Sequence, residues 1–234
     1  MKIQFIPFAN TDEGQLLPPI PAANSLPDWY KRKRPYTGGA KKHLASSEGS
    51  KNVTVKWCNP FGDALTSGYF LVLENDVQVT IENGEQAWVW FRGGEKFINS
   101  HSKDQISPEL IPQGYSPQPW KFLNNWGIKT PPGYSVLFTH PMNRTELPFL
   151  TLSGVVDTDG YNQPVNFPFL IREDFEGIIE AGTPIAQVVP FKREVWTAEI
   201  EEFSPAKVAG ITGSYARKIF RPYKLGYWKR KEYK

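Results

Sequence analysis

A chain of 234 residues with a net charge of +3 and 14% aromatic side chains has length for one large β domain or two small ones, with a core that needs no covalent staples. Its single cysteine, Cys58, excludes an internal disulfide framework and suits a reducing compartment. No apolar run approaches the roughly 18 residues of a membrane span, and the opening MKIQFIPFANTDEG is too short and polar for a secretory signal, so a soluble cytosolic protein with no membrane partner is expected.

Twenty-one prolines and 19 glycines favour many short strands joined by turns. Residues 2–8 (KIQFIPF) alternate as a first strand, and Pro18, Pro19 and Pro21 hold an extended segment after it. Ser25 reads as the N-cap of a short helix through Arg34. Residues 37–51 are small and polar, a mobile loop or arm, and His43 there is a solvated loop histidine. From Val53 the chain turns strand-rich: VTVKW, YFLVL, DVQVTI and QAWVWF each suit a strand, with a turn at PFGDALTSG and another at Glu82-Asn83-Gly84. Ala87, Val89 and Phe91 share one face of QAWVWF and Trp88 and Trp90 the other, so both faces should be covered by protein. Residues 92–119 read mostly as loop. WGIKTPPGYSVLF follows as strand, Pro-Pro-Gly turn and strand, and LPFLTLSGVV as the next apolar strand.

The stretch from Gly154 to Glu194 is the centre of the chain. An apolar run stops at Asp157 and Asp159, turns at Gly160, and leaves through a strand that ends at Glu173 and Asp174. A second apolar burst follows, and Gly182 restarts the chain into PIAQVVPF. VWTAEIEEF (195–203) alternates like a further strand, and Ser204-Pro205 reads as the cap of a terminal helix weakened by Gly210 and Gly213. The expected architecture is therefore mainly β: an N-terminal extension over 1–52, a β domain over 53–203, and a helix with a basic aromatic tail over 204–234.

Side chains with chemical capacity are few. His101 and Asp104 lie three apart in a loop without the HxH or HxxxH spacing of a metal site, so no metal is expected. Cys58 has no base near it in sequence and reads as a buried structural thiol. Basic runs at Lys31–Arg34 and Lys229–Lys234 are interleaved with Trp29, Tyr30, Tyr36, Tyr223, Tyr227, Trp228 and Tyr233. They suit a tail that packs by its rings on a neighbour; nucleic acid is the alternative, since rings stack bases and cations meet phosphates.

PPGYSVLFTHPMNR, then SGVVDTDGYNQPVNF, then AGTPIAQVVPF, resembles the order of motifs in deoxyuridine triphosphatases and dCTP deaminases. That superfamily has a Pro-Gly turn before a strand, a GV(I/V)DxDY hairpin and a later GDRIAQL strand. The resemblance covers residues 131–191, closest at Gly154-Val155-Val156-Asp157 and at Gly182 with Ile185-Ala186-Gln187. It implies a β-clip, or distorted jelly-roll, fold and a homotrimer with shared sites. The chain as a whole also resembles a family of tailed-phage proteins, which implies other phage proteins as partners and the host cytoplasm or the virion as the location.

The resemblance places Asp157 where the family's water-positioning aspartate stands, and Tyr161 where its sugar-packing tyrosine stands, but with Gly160 inserted before the ring. Asp159, Gln187 and Arg144 complete the implied ligand-binding set. The departures are larger: THPMNR replaces a phosphate-binding Arg-Ser-Ser, and SGYFL puts Phe70 where an AGYDL motif holds its metal through aspartate. A glycine-rich phosphate arm is only echoed in AGITGSYAR, and the catalytic glutamate of a deaminase has no match. Because phosphoryl transfer depends on charge placed around the phosphates, the expectation is a non-catalytic β scaffold for assembly or ligand holding. The alternative is a nucleotide hydrolase or nucleotide-binding protein using Asp157 and Tyr161, with magnesium as cofactor only in that case.

Overall fold

The computed structural model describes residues 1–9, 16–38, 45–46, 49–50, 52–90, 97–216 and 222–234. It is mainly β and its sheets are antiparallel, divided into a sheet unit (Met1–Leu26, Leu65–Arg193 and Tyr233) and a second unit (Pro27–Ala64, Glu194–Glu232 and Lys234).

In the sheet unit, β1 (Gln4–Pro7) pairs with β10 (Trp126–Lys129). A five-stranded sheet runs in the order β13 (Gly154–Val156), β11 (Tyr134–Thr139), β16 (Pro184–Lys192), β5 (Tyr69–Val72), β2 (Ile20–Pro21). A four-stranded sheet is ordered β12 (Phe149–Thr151), β14 (Phe167–Ile171), β9 (Trp120–Phe122), β8 (Ile98–Ser100). A three-stranded sheet is ordered β15 (Gly177–Ile179), β6 (Val77–Glu82), β7 (Glu85–Trp90).

Alternation builds the core. Val136 and Phe138 of β11, Val188 of β16, Phe167 and Phe169 of β14, and Val77 and Val79 of β6 all point into one buried cluster. Phe122 stacks on Phe169 at 3.8 Å and 12°, and Phe149 meets Phe122 edge-on at 5.1 Å. Burial of each such ring contributes about 1.5–3 kcal/mol, with ring geometry adding to it. On the other face of β5, Phe70 and Val72 pack with Ala22, Leu17 and Ile20, so the proline-rich N-terminal segment covers that end of the sheet. Pro190 is tolerated in β16 because it lies beyond the last β5 pair, Val188↔Tyr69, where the strand has one neighbour. Asn83 and Gly84 (φ 53° and 79°) form the two-residue turn joining β6 to β7, the geometry that Asn-Gly favours.

The second unit holds α1 (Asp28–Arg32), the small hairpin β3 (Ala45–Ser46) and β4 (Gly49–Ser50), α2 (Asn59–Thr66) as far as Ala64, α3 (Pro205–Ala216) and α4 (Pro222–Gly226). Trp29, Tyr30 and Phe61 form an aromatic cluster, with Tyr30 stacked on Phe61 at 6.1 Å. Lys56 sits 4.1 Å over the Tyr30 ring.

Several expectations give way. The short helix begins at Asp28 behind Pro27, not at Ser25, because the Ser25 carbonyl is held by Arg144 and its N–H by Ala22. VTVKW is no strand: the Thr54 hydroxyl accepts from the Lys56 N–H and starts a 3-10 turn over Val55–Trp57. PFGDALTSG, expected as a turn, is mostly helix α2, since Pro60 suits a first helical turn. Cys58 is exposed rather than buried, standing just before that helix. LPFLTLSGVV breaks at Leu152 into β12 and β13, which belong to different sheets. Residues 195–203 form no strand and are exposed. The terminal helix does begin at Pro205, with the Val208 N–H on the Ser204 carbonyl. His43, Phe91 and Arg217 lie outside the described residues, as does most of the 37–51 loop.

Candidate functional site

The turn after β13 brings Asp157 and Asp159 beside two other segments of the sheet unit. β13 and β16 both pair with β11, so the end of β13, the start of β11 and the end of β16 converge. The Arg193 N–H donates to the Gly133 carbonyl at 2.8 Å, which fixes the arginine at the Pro-Pro-Gly turn. Gly133 in turn donates its N–H to Asp159 Oδ2 at 2.8 Å. Its φ of +82° suits the turn's last residue.

Arg193 then spans both carboxylates. Its Nη1 donates to Asp159 Oδ1 at 2.9 Å, Asp157 Oδ1 at 3.1 Å and Ser135 Oγ at 3.0 Å, and its Nη2 donates to Asp159 Oδ2. Ser135 donates to Asp157 Oδ1 at 2.6 Å. The Arg193 guanidinium and the Gly133 N–H hold the Asp159 carboxyl down to about 2, and the same pairing raises the arginine further. The turn closes on itself, with the N–H groups of Gly160 and Tyr161 on the Asp157 carbonyl at 3.1 and 2.9 Å. The Asp157 side chain is 70% exposed and Tyr161 50%, whereas the Asp159 side chain is 16% exposed.

The other members of the expected set lie elsewhere. Gln187 is fully buried in β16, its Oε1 accepting from the Met142 N–H at 2.7 Å and its Nε2 donating to the Ser67 carbonyl at 2.6 Å. Arg144 is 8% exposed, ion-paired with Glu146 and bonded to the Ser25 carbonyl at 3.1 Å. Between them sits His140: its Nδ1 accepts from the Thr151 N–H at 3.3 Å, which leaves Nε2 to donate to the Arg144 carbonyl at 3.2 Å. Burial pushes its pKa down. Thus Asp157, Asp159 and Tyr161 share one turn, while Gln187 and Arg144 belong to interior networks. Arg193, the residue that organises the turn, had one sequence signal, its place at the end of the PIAQVVPF strand.

Phe70, where the family motif would supply an aspartate, is 1% exposed within an apolar cluster and offers no oxygen ligand, so the donor set does not fit a magnesium ion there. Among the described residues no group of three or more His, Cys, Asp or Glu side chains lies close enough to hold a metal. His101 Nδ1 instead meets Gln105 Oε1 at 2.5 Å.

At the basic aromatic ends, the Trp228 indole donates to both oxygens of Asp63 at 3.1 and 2.9 Å, and Lys231 meets the same carboxylate at 2.5 Å. Tyr233 packs edge-on against Tyr69 at 5.9 Å. Lys31 pairs with Asp28, and Arg230 with Glu232. Part of both basic runs is neutralised within the chain. No helix among the described residues is long and apolar enough to cross a membrane.

No protein-family model matches this chain, and no curated protein does. Among solved structures it is similar, distantly, to a mutant deoxyuridine triphosphatase from phage phi11 of S. aureus whose structure concerns the coordination of a structural Mg(II) ion: 13% identity, 73% of this chain and 94% of that chain covered, and a TM-score of 0.31.

Proposed function

We propose that the chain is a non-catalytic β scaffold that assembles with further copies of itself, as a trimer on the strength of its sequence resemblance. The observation carrying this reading is the Arg193 bridge across Asp157 and Asp159. A carboxylate that positions water must present an oxygen to it. Asp157 Oδ1 already accepts from Ser135 and Arg193, and the Arg193 guanidinium is occupied by two carboxylates instead of facing a phosphate. The turn thereby joins the ends of three strands. The tailed-phage resemblance adds the host cytoplasm or the virion as its place, and other phage proteins as further partners.

The second reading, a nucleotide hydrolase or nucleotide-binding protein with magnesium, draws support from exposure. The Asp157 carboxylate and the Tyr161 ring face solvent at one turn. Incubation of the pure protein with deoxynucleoside triphosphates and magnesium decides between them. The scaffold reading expects no turnover and a subunit-multiple mass by light scattering. Hydrolysis at an enzymatic rate that Asp157→Asn abolishes, with stability unchanged, overturns it.

A further inference from the structure

Charge is divided unequally between the two units. The sheet unit carries ten lysines and arginines against sixteen acids, a net −6, and the second unit the remaining seventeen against eight, a net +9. Four of those eight acids fall between 194 and 203. Residues 27–64 therefore stand at +5, and residues 204–234, with Glu232 as their sole acid, at +8. Cations concentrated in this way, in a chain of nearly balanced charge, are the footprint of a surface that binds a polyanion.

Helix α2 gathers the two basic runs, although they lie at opposite ends of the chain. Phe61 takes the rings of α1, with Trp29 edge-on at 6.2 Å and Tyr30 stacked at 6.1 Å, and the run Lys31–Arg34 follows those rings directly. Two residues along α2, Asp63 accepts from Trp228 and Lys231, which fixes the run Lys229–Lys231 to the same helix. Pairing within the chain leaves part of the charge free. Asp28 takes Lys31, Asp63 takes Lys231, and Glu232 takes Arg230 and Lys234. Arg32, Lys33, Arg34 and Lys229 are exposed and meet no carboxylate among the described residues.

Rings accompany the free cations. Trp29, Tyr30 and Phe61 pack on one another, and Tyr36 packs on Trp57 at 5.4 Å. Tyr223 and Tyr227, one helical turn apart along α4 and its end, stand 38% and 46% exposed instead, with Lys224 between them and Lys229 just beyond. Exposed rings among unpaired cations match the chemistry of a single strand of nucleic acid, whose phosphates meet the cations and whose unpaired bases stack on rings. Guanidinium groups, as at Arg32 and Arg34, hold phosphate oxygens in pairs. We propose that the second unit binds single-stranded nucleic acid without sequence preference, its phosphates on Arg32, Lys33, Arg34 and Lys229 and its bases on Tyr223 and Tyr227. This binding goes beyond the self-assembly reading and does not depend on it.

Fluorescence anisotropy of a labelled, mixed-sequence single strand of about 20 nucleotides, longer than one such site needs, tests it. The full chain should bind at low salt and weaken as salt rises, with a log–log slope of roughly −0.7 for each phosphate engaged. The triple variant Arg32→Ala, Lys33→Ala and Arg34→Ala alters exposed side chains alone and should keep the circular dichroism and denaturant midpoint of the wild type. It should flatten the salt slope by about 2 and weaken binding about tenfold or more. Tyr223→Ala with Tyr227→Ala should weaken the single strand about tenfold at an unchanged slope, and should leave binding to a duplex of the same length as it was. A wild type that leaves the strand free at low salt overturns the inference, as does binding that survives both variants. Phosphatidylserine vesicles bound as tightly as the strand, with the tyrosine variant indifferent, assign the surface to a membrane and overturn it too. A triple variant that lowers the light-scattering mass, where the wild type binds no strand, assigns the cations to the acidic sheet unit of a second copy and overturns it while leaving self-assembly standing.

Discussion

Arg193 Nη1 lies 2.9 Å from Asp159 Oδ1 and 3.1 Å from Asp157 Oδ1, so one guanidinium ties the end of β16 to the turn that leaves β13. The two carboxylates are unequal in it. Asp159 also takes the Gly133 N–H and is largely covered, while Asp157 stays open to solvent. Asp159 is held near 2, below its ordinary 3.8. A depressed folded-state pKa contributes stability that is fully present above the unfolded value and is lost as pH falls through the folded one. Asp159→Asn should therefore lower the thermal midpoint at pH 7, and that gap should close between about pH 4 and pH 2. A gap of the same size at both ends of that window would show that the charge is not what stabilises the turn.

Gln187 gives a second prediction. Its amide bonds the Met142 N–H and the Ser67 carbonyl from inside the five-stranded sheet. Gln187→Leu keeps the volume and strands both partners, which should cost about 1–3 kcal/mol in chemical denaturation. Were it a surface ligand contact instead, stability would be unaffected.

His140 sets a third. With Nδ1 accepting from Thr151, protonation places a second N–H against the first, and burial adds to that penalty. Its pKa lies below the usual 6.5, so its contribution is intact above that value and is lost as pH falls through the lowered one. Ring nitrogen shifts measured by NMR should report the neutral Nε2–H form at pH 6.5. A ring half protonated at that pH contradicts the network.

What could be read in advance follows local chemistry. Apolar alternation located β5, β6, β14 and β16, and Pro-Pro-Gly and Asn-Gly located their turns, because those signals are carried by adjacent residues. Helix α2 was hidden because Pro60 and Gly62 look like turn residues, although proline belongs in a first helical turn and Gly62 stands where a Cβ would come within 3.2 Å of the Tyr30 hydroxyl. Residues 195–203 alternate like a strand yet form none, since a strand's partner is set outside its own sequence. For the same reason Asp157 and Asp159 were visible as a pair, whereas the arginine that neutralises them, 34 residues beyond Asp159, was not.

Gly68 yields the last prediction, and Gly84 is its control. Both have left-handed backbones, with φ of +70° and +79°. A Cβ at Gly84 would meet nothing within 4 Å, so Gly84→Ala should cost only the dihedral penalty, about 1 kcal/mol. At Gly68 the same atom would lie 1.9 Å from the Val188 carbonyl oxygen, which is backbone of β16 and cannot swing aside. Gly68 also accepts the Ala22 N–H at 3.0 Å, and its neighbour Ser67 accepts from Gln187. Relief of the clash must therefore move β5, β16 or the N-terminal cover. Gly68→Ala should cost more than about 3 kcal/mol, in the range of severe single substitutions. Denaturant midpoints of the two variants decide it: equal losses would mean that the SGYFL glycine serves its turn alone and not the approach of β5 to β16.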